Sequence, residues 1–410
     1  MRTTSSIPSG DTEAEPNVPS VPARAAGGAL PALGVGVVAT ILILISSGLR
    51  ATPYNNYVLL ADAFLHGRVW IDWPGPSIDA LHLGGRYYVI EAPFPALLVL
   101  PLVAAFGTHA SQTVVAAILG GVAVGGAWDV ATRLGVGANT RLVLVAFFMV
   151  GTDLWWCSMY GDVWFIAHSS AVCFTMLALV EVLGKRRGWI VGLCLACAVE
   201  SRFNVVVALP AFAYLVARAR DGAGARRQIA GFCAVLVPFV VGWIVYNELR
   251  WGVPYDIGYT TWYHQDELGD PTGSPFKLKY APFELWSFFV APPRFGAGYP
   301  WLLAPNAGIA LTWTSPALLI AFLARQPRYL VVTMWLLIAA IWLPEILYYA
   351  NGASQFGMRH ALDFEPFVFV LMVLGLRRRI PLWAGALLGY SMVFGFWGLW
   401  FWRNFFRPNY

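Results

Sequence analysis

Five basic clusters, each flanked on both sides by apolar sequence, limit what this chain can fold into. They are Arg133 with Arg141, then Lys185-Arg186-Arg187, then Arg218, Arg220, Arg226 and Arg227, then Arg325 with Arg328, and last Arg377-Arg378-Arg379. Apolar stretches separate them, several near about 20 residues, which as helix matches the roughly 30 Å hydrocarbon core of a bilayer. Lys and Arg collect on the cytoplasmic side of short membrane loops. The pattern therefore predicts an all-α polytopic membrane protein with every cluster on one face. Composition agrees: 58% of the 410 residues are hydrophobic, 12% are charged and the mean hydropathy is +0.62, against about 25% charged residues in soluble domains. Long continuous apolar runs exclude a β-barrel, whose strands alternate. The net charge of +5 is modest and gives no reason to expect a nucleic-acid partner.

Residues 1–28 are rich in Pro, Ser, Ala and Gly and read as a disordered cytoplasmic tail. The run that follows exceeds the 7–15 apolar residues of a signal-peptide core, so it reads as an uncleaved anchor. Residues 29–410 then form one membrane domain of about eleven spans. The expected positions are 30–48, 110–131, 142–156, 165–183, 188–200, 204–217, 229–247, 301–323, 329–349, 361–376 and 381–402. Residues 93–107, PFPALLVLPLVAAFG, are apolar but short and hold three prolines. Counting them as a span would put all five clusters outside, so they read as an interfacial or re-entrant helix on the outer side. The cysteines 157, 173, 194, 197 and 233 lie mostly in apolar segments. The Cys194-Leu-Ala-Cys197 spacing then reads as helix packing, not as a metal or redox motif.

In this register most acids fall at the outer ends of helices, along with two long loops, 49–109 and 248–300. Loops of that length are usually functional. The first begins with YNNYVLLADAFLHG at 54–67, which reads as a short helix lying along the membrane. Asn55, Asp62 and His66 share one face of it, spaced by seven and four. A surface helix that only meets water would show the same face.

The order of segments resembles the GT-C glycosyltransferases, particularly the bacterial family-39-like branch related to protein O-mannosyltransferases and lipid A aminoarabinose transferases. The resemblance rests on YNNYVLLADAFLHGRVWID, then GGRYYVIEAPFPALLVLPLVAAFG, then GTDLWWCSMYGDVWFIAH at 151–168. It continues in RWGVPYDIGY at 250–259, PPRFGAGYPWLLAPNAG at 292–308 and QFGMRHALDFEPF at 355–367. It implies a GT-C-like fold with outer-face juxtamembrane helices. It also implies transfer of a sugar from a polyprenyl-phosphate donor to a glycan, lipid or protein acceptor on the outer face of the cell membrane. Many members carry an Asp directly after the first helix; here that place is the neutral Pro53-Tyr54-Asn55-Asn56.

Such a reaction needs a carboxylate to take the acceptor proton and a cation to hold the leaving phosphate. The expected catalytic acids are Asp62 and Asp162, Asp62 as base and Asp162 as second acid or ligand of a divalent metal. No cofactor is otherwise implied. Asn55, Asn56, His66, His168, Arg202 and Arg359 are the expected substrate-binding residues, the arginines for phosphate; Glu200 could instead neutralise Arg202. Arg294 and Lys279 are further cations, Asp79 and Glu91 further acids. No nucleotide-binding glycine motif occurs. A lipid or glycan transporter, a non-catalytic envelope-assembly subunit and a ligase of preassembled glycans stay open.

Overall fold

The computed structural model describes residues 29–405 except 73, 74, 76–79, 219 and 353. The N-terminal tail and Asp79 lie outside the described residues. Sixteen α-helices follow in chain order: α1 (Ala29–Ser47), α2 (Asn56–Leu65), α3 (Phe94–Phe106), α4 (Gln112–Arg133), α5 (Ala138–Val150), α6 (Leu154–Tyr160), α7 (Val163–Val182), α8 (Gly188–Val199), α9 (Leu209–Ala217), α10 (Gly222–Trp251), α11 (Gly258–Gln265), α12 (Ala281–Phe289), α13 (Leu311–Thr314), α14 (Arg328–Leu347), α15 (Glu365–Gly375) and α16 (Leu382–Asn404). Two small antiparallel ribbons complete the described structure, one of which pairs Leu81 with Tyr88 and Leu83 with Arg86.

Six helices, α1, α4, α7, α10, α14 and α16, are long and apolar enough to cross a bilayer. The pair α5 and α6, bent by 49° at its break, adds a seventh. The other expected spans fall on shorter pieces. Helix α8 has 12 residues and α15 has 11, about 16–18 Å of helix each and short of the bilayer core. The 301–323 span breaks into a strand, the four-residue α13 and a 3-10 turn at Pro316–Leu323. Broken helices of this kind are tolerated where protein covers their ends, and α15 is almost entirely buried. Helix α3 is 13 residues long with Pro101 inside it, too short to span alone.

Helices α4 and α7 form the centre, with 78% of their apolar windows buried. In α1 and α10 the figures are 22% and 11%. That much exposed aliphatic surface would be costly in water at about 25 cal/mol per Å², so these faces are the lipid-contacting ones. Small residues let α1 and α4 pack backbone to backbone. A Cβ added at Gly121 would meet Thr40 Oγ1 at 1.9 Å and the Gly36 carbonyl at 2.7 Å, the close approach typical of membrane helix pairs.

The basic clusters converge on one end of the bundle. Arg377 Nε donates to the Leu134 carbonyl at 2.8 Å, and Arg220 Nη2 to the Lys185 carbonyl at 3.3 Å. Arg218 lies over the Tyr329 ring at 3.5 Å, and Arg325 shares a surface hollow with Arg377, Arg378 and Arg379. The long loops, α2, α3, α11 and α12 belong to the opposite end.

Candidate functional site

At that opposite end the chain after α1 is tied down by one side chain. Gln112, at the start of α4, donates from Nε2 to the carbonyls of Tyr54 (3.0 Å) and Gly161 (2.7 Å), and its Oε1 accepts from the Tyr57 amide at 3.2 Å. The Val163 amide donates to the Tyr54 carbonyl at 3.1 Å. Gly161 ends α6 in the left-handed region, φ 65°, and a Cβ there would lie 2.7 Å from Thr113 Cα. These constraints hold Asp162, at the start of α7, against Thr52, whose hydroxyl donates to Asp162 Oδ1.

Two cavities open here. The larger, about 760 Å³, is lined by Tyr54, Glu91, Trp164, Arg202, Tyr259, Tyr348, Arg359 and His360, among others. The smaller, about 200 Å³, lies between the ends of α1 and α16 and is lined by Arg50, Thr52, Tyr160, Asp162 and Arg403. Ser354 borders both.

Below the larger cleft sits a buried ionic network. Arg202 donates from Nε (3.0 Å) and Nη2 (2.8 Å) to Asp363 Oδ2, and from Nη2 to Glu345 Oε1 at 3.2 Å. Asn204 Nδ2 donates to the same two carboxylates at 2.7 Å each. His168 Nδ1 meets Asp363 Oδ1 at 2.9 Å, and His360 Nδ1 meets Glu345 Oε2 at 2.7 Å. The neutraliser of Arg202 is thus Asp363 with Glu345, and not Glu200. His168 is fully buried in the network and does not line the cleft, whereas His360 does.

Arg359 occupies the cleft wall. Its guanidinium lies 5.9 Å from the Trp164 ring and 5.6 Å from that of Phe165, and Nη1 donates to Gln355 Oε1 at 3.1 Å. Gly352, at φ +84°, passes so close that a Cβ would sit 2.6 Å from Arg359 Nη1. Burial lowers the Arg359 pKa to about 10, which leaves it charged at neutral pH. Burial pushes Asp162 up to about 6, against the pull of the Thr52 hydrogen bond and the Arg359 charge.

The expected base, Asp62, sits elsewhere. It is partly exposed on α2, with Arg68 at 4.0 Å and His66 at 3.7 Å, and lines neither cavity. His66 is exposed beside it. Asn55 precedes α2 half-buried and Asn56 is buried beneath it, so Thr52, Pro53 and Tyr54 present this segment to the cavities instead of the Asn pair. Arg294 is exposed, and Lys279 lies over Tyr280 at 4.9 Å, outside both cavities. No group of three or more His, Cys, Asp or Glu that could hold a metal occurs among the described residues. Asp162 is bonded to Thr52, and Asp363 is shared by Arg202 and His168.

Sequence reading passed over Asp363, Glu345, His360, Asn204, Tyr259 and Tyr348. Two of these stand in the QFGMRHALDFEPF segment, where His360 comes one residue after Arg359 and Asp363 four residues after it. Glu345 follows Pro344 near the end of an apolar run, a costly place for an acid without a partner.

No family model and no curated protein matches the sequence. Solved structures do match the fold. The crystal structure of ArnT from Cupriavidus metallidurans bound to undecaprenyl phosphate superposes with a TM-score of 0.54 at 17% identity, over 90% of this chain and 64% of that one. The apo structure gives 0.53 at 14% identity, over 88% and 62%. The chain therefore spans less than two thirds of the length of ArnT. The polytopic membrane fold of ArnT is the fold of this chain.

Proposed function

We propose that the protein is a membrane glycosyltransferase that moves a sugar from a polyprenyl-phosphate donor to a hydroxyl acceptor. The observation that carries this reading is the pairing, at one end of an ArnT-like fold, of a cleft with Arg359 in its wall and a neighbouring smaller cavity lined by the buried carboxylate of Asp162. ArnT in one of the matching structures holds undecaprenyl phosphate, a ligand of the chemistry a cleft with Arg359 suits.

In this mechanism Arg359 holds the donor phosphate. Its planar fork suits bidentate phosphate contacts, and Gln355 Oε1 accepts from its Nη1 at 3.1 Å. Asp162 accepts the acceptor's hydroxyl proton as its oxygen bonds to the anomeric carbon. The anomeric bond to phosphate breaks, and polyprenyl phosphate leaves with the electron pair. Burial tunes Asp162 near its working range, as a general base requires. Arg202, already matched by two carboxylates, shapes the cleft floor and adds little free positive charge. The basic end faces the cytoplasm in this reading, so the cavities open on the outer face.

Purified protein incubated with a panel of polyprenyl-phosphate sugars and a membrane acceptor extract should consume one donor. Arg359→Ala should weaken that donor's binding, and Arg359→Lys should restore only part of it. A panel left untouched at matched folded yield overturns the reading.

A further inference from the structure

The reaction needs an acceptor as well as a donor, and the smaller cavity differs in character from the cleft. Its rim carries Arg50, just beyond α1, and Arg403, in the last turn of α16. Among the described residues Arg50 has no ion-pair or hydrogen-bond partner for its side chain. Among the same residues, Arg403 Nη1 donates to a backbone carbonyl, that of Ser46, at 2.9 Å and to no carboxylate. Both arginines line the cavity together with Tyr160, so their charges act on one volume. These cations are not spent on carboxylates, unlike Arg202, Arg133 and Arg187. Asp162 lines this same cavity, and Ser354 joins it to the cleft.

The flanking helices indicate where a ligand arrives from. In α1 only 22% of the apolar window is buried, and in α16 only 33%, so both present apolar faces to lipid on either side of the cavity. Cations at helix ends of this kind attract anionic groups at headgroup depth. The cavity that Asp162 lines lies between the ends of these two helices, apart from the wall of the donor cleft that carries Arg359.

We infer that the smaller cavity is the acceptor subsite, and that it takes a lipid whose headgroup carries an anion, phosphate or carboxylate, beside the hydroxyl to be glycosylated. The inference rests on the transferase reading above. Arg50 and Arg403 hold the anion, and Asp162 meets the hydroxyl. The acceptor oxygen bonds to the anomeric carbon, its proton passes to Asp162, and the anion is left unchanged in the product.

The test uses the full chain in discs of phosphatidylcholine alone, with labelled polyprenyl-phosphate sugar and a total membrane lipid extract as acceptor. The labelled product should partition with lipid and be retained on an anion exchanger. Arg50→Gln with Arg403→Gln should raise the acceptor KM about 10–100-fold, the loss expected for one charge-assisted hydrogen bond, with donor affinity kept as the control for folding. A neutral or water-soluble product overturns the acceptor class and leaves the transferase reading intact. An unchanged acceptor KM overturns the roles of Arg50 and Arg403. An effect seen only after phosphatidylglycerol is added to the discs overturns them too, because the arginines would then be sensing bulk headgroups. Absence of any donor consumption overturns the transferase reading and this one with it.

Discussion

Asp162 answers to two opposing influences, burial that favours its protonated form and Thr52 with Arg359 that favour the carboxylate. The balance lies near pH 6, and a general base works only when ionised. The rate should therefore rise with pH through about 6 and level off above it, and this acid limb should be absent from any residual activity of Asp162→Asn. That variant should lose about 10²–10⁴-fold in turnover with donor binding kept, while Asp62→Asn, on the exposed side of α2, should stay within a few-fold of the parent. Equal losses in both variants, measured on matched preparations, would return the base to Asp62. The stability effect of Asp162 has the opposite sign to its catalytic one. Its folded pKa is raised, so its contribution is fully present below the ordinary carboxylate range and is lost as pH rises through about 6. Arg202 gives a different kind of prediction. Arg202→Met leaves Asp363 and Glu345 facing each other without their cation, and removing one partner of a buried pair costs about 3–5 kcal/mol. Thermal unfolding in detergent should show a large drop in midpoint, which makes Arg202 a poor residue for testing phosphate binding and Arg359 a better one.

At the scale of elements, the contact between α1 and α4 places the chain that leads into the site. Helix α1 delivers Arg50 and Thr52, and α4 delivers Gln112, which clamps the segment 54–57. Their separation is set by Gly36, Gly121 and Gly125. Gly121→Val would force the helices apart, because its Cβ overlaps Thr40 Oγ1 and the Gly36 carbonyl. Overpacking of this kind costs about 1–3 kcal/mol. Turnover should fall along with stability, since Thr52 moves away from Asp162. A variant with full activity and an unshifted unfolding midpoint would show that α1 is not what holds Thr52 in place.

The whole molecule is polarised, with the five basic clusters at one end and the cavities at the other. Transmembrane orientation is then a single binary choice for all the loops together. In a background without the five native cysteines, Lys185→Cys and Arg378→Cys should resist a membrane-impermeant maleimide in intact cells. Leu268→Cys, in the long loop after α11 and 78% exposed, should react. Reaction at Lys185 with protection at Leu268 would invert the molecule and place the cavities in the cytoplasm. Mixed labelling within the basic set is incompatible with the contacts between Arg377 and Leu134 and between Arg220 and Lys185.

Apolar length and basic spacing, both local properties of the chain, determined the class of fold, the shared end of the five clusters and the shortness of the proline-bearing α3. They worked because the bilayer acts on each segment separately, through its own hydrophobicity and flanking charge. The same signals did not show that α8 and α15 are short or that 301–323 is broken, features that burial against neighbouring helices allows. The motif segments led to Asp162, Arg202 and Arg359 because polar residues at helix ends stand out in an apolar chain. Sequence could not separate Asp62 from Asp162. Both are acids beyond a helix end, and only the packing turns one toward Arg68 and the other toward Thr52 and a cavity. Nor could it assign partners to Arg202, since Glu200 is two residues away in the chain whereas Asp363 and Glu345 are distant in it and adjacent in space. Charge pairing in a low-dielectric interior depends on distances of a few ångströms, and those are fixed only when α7, α14 and α15 come together.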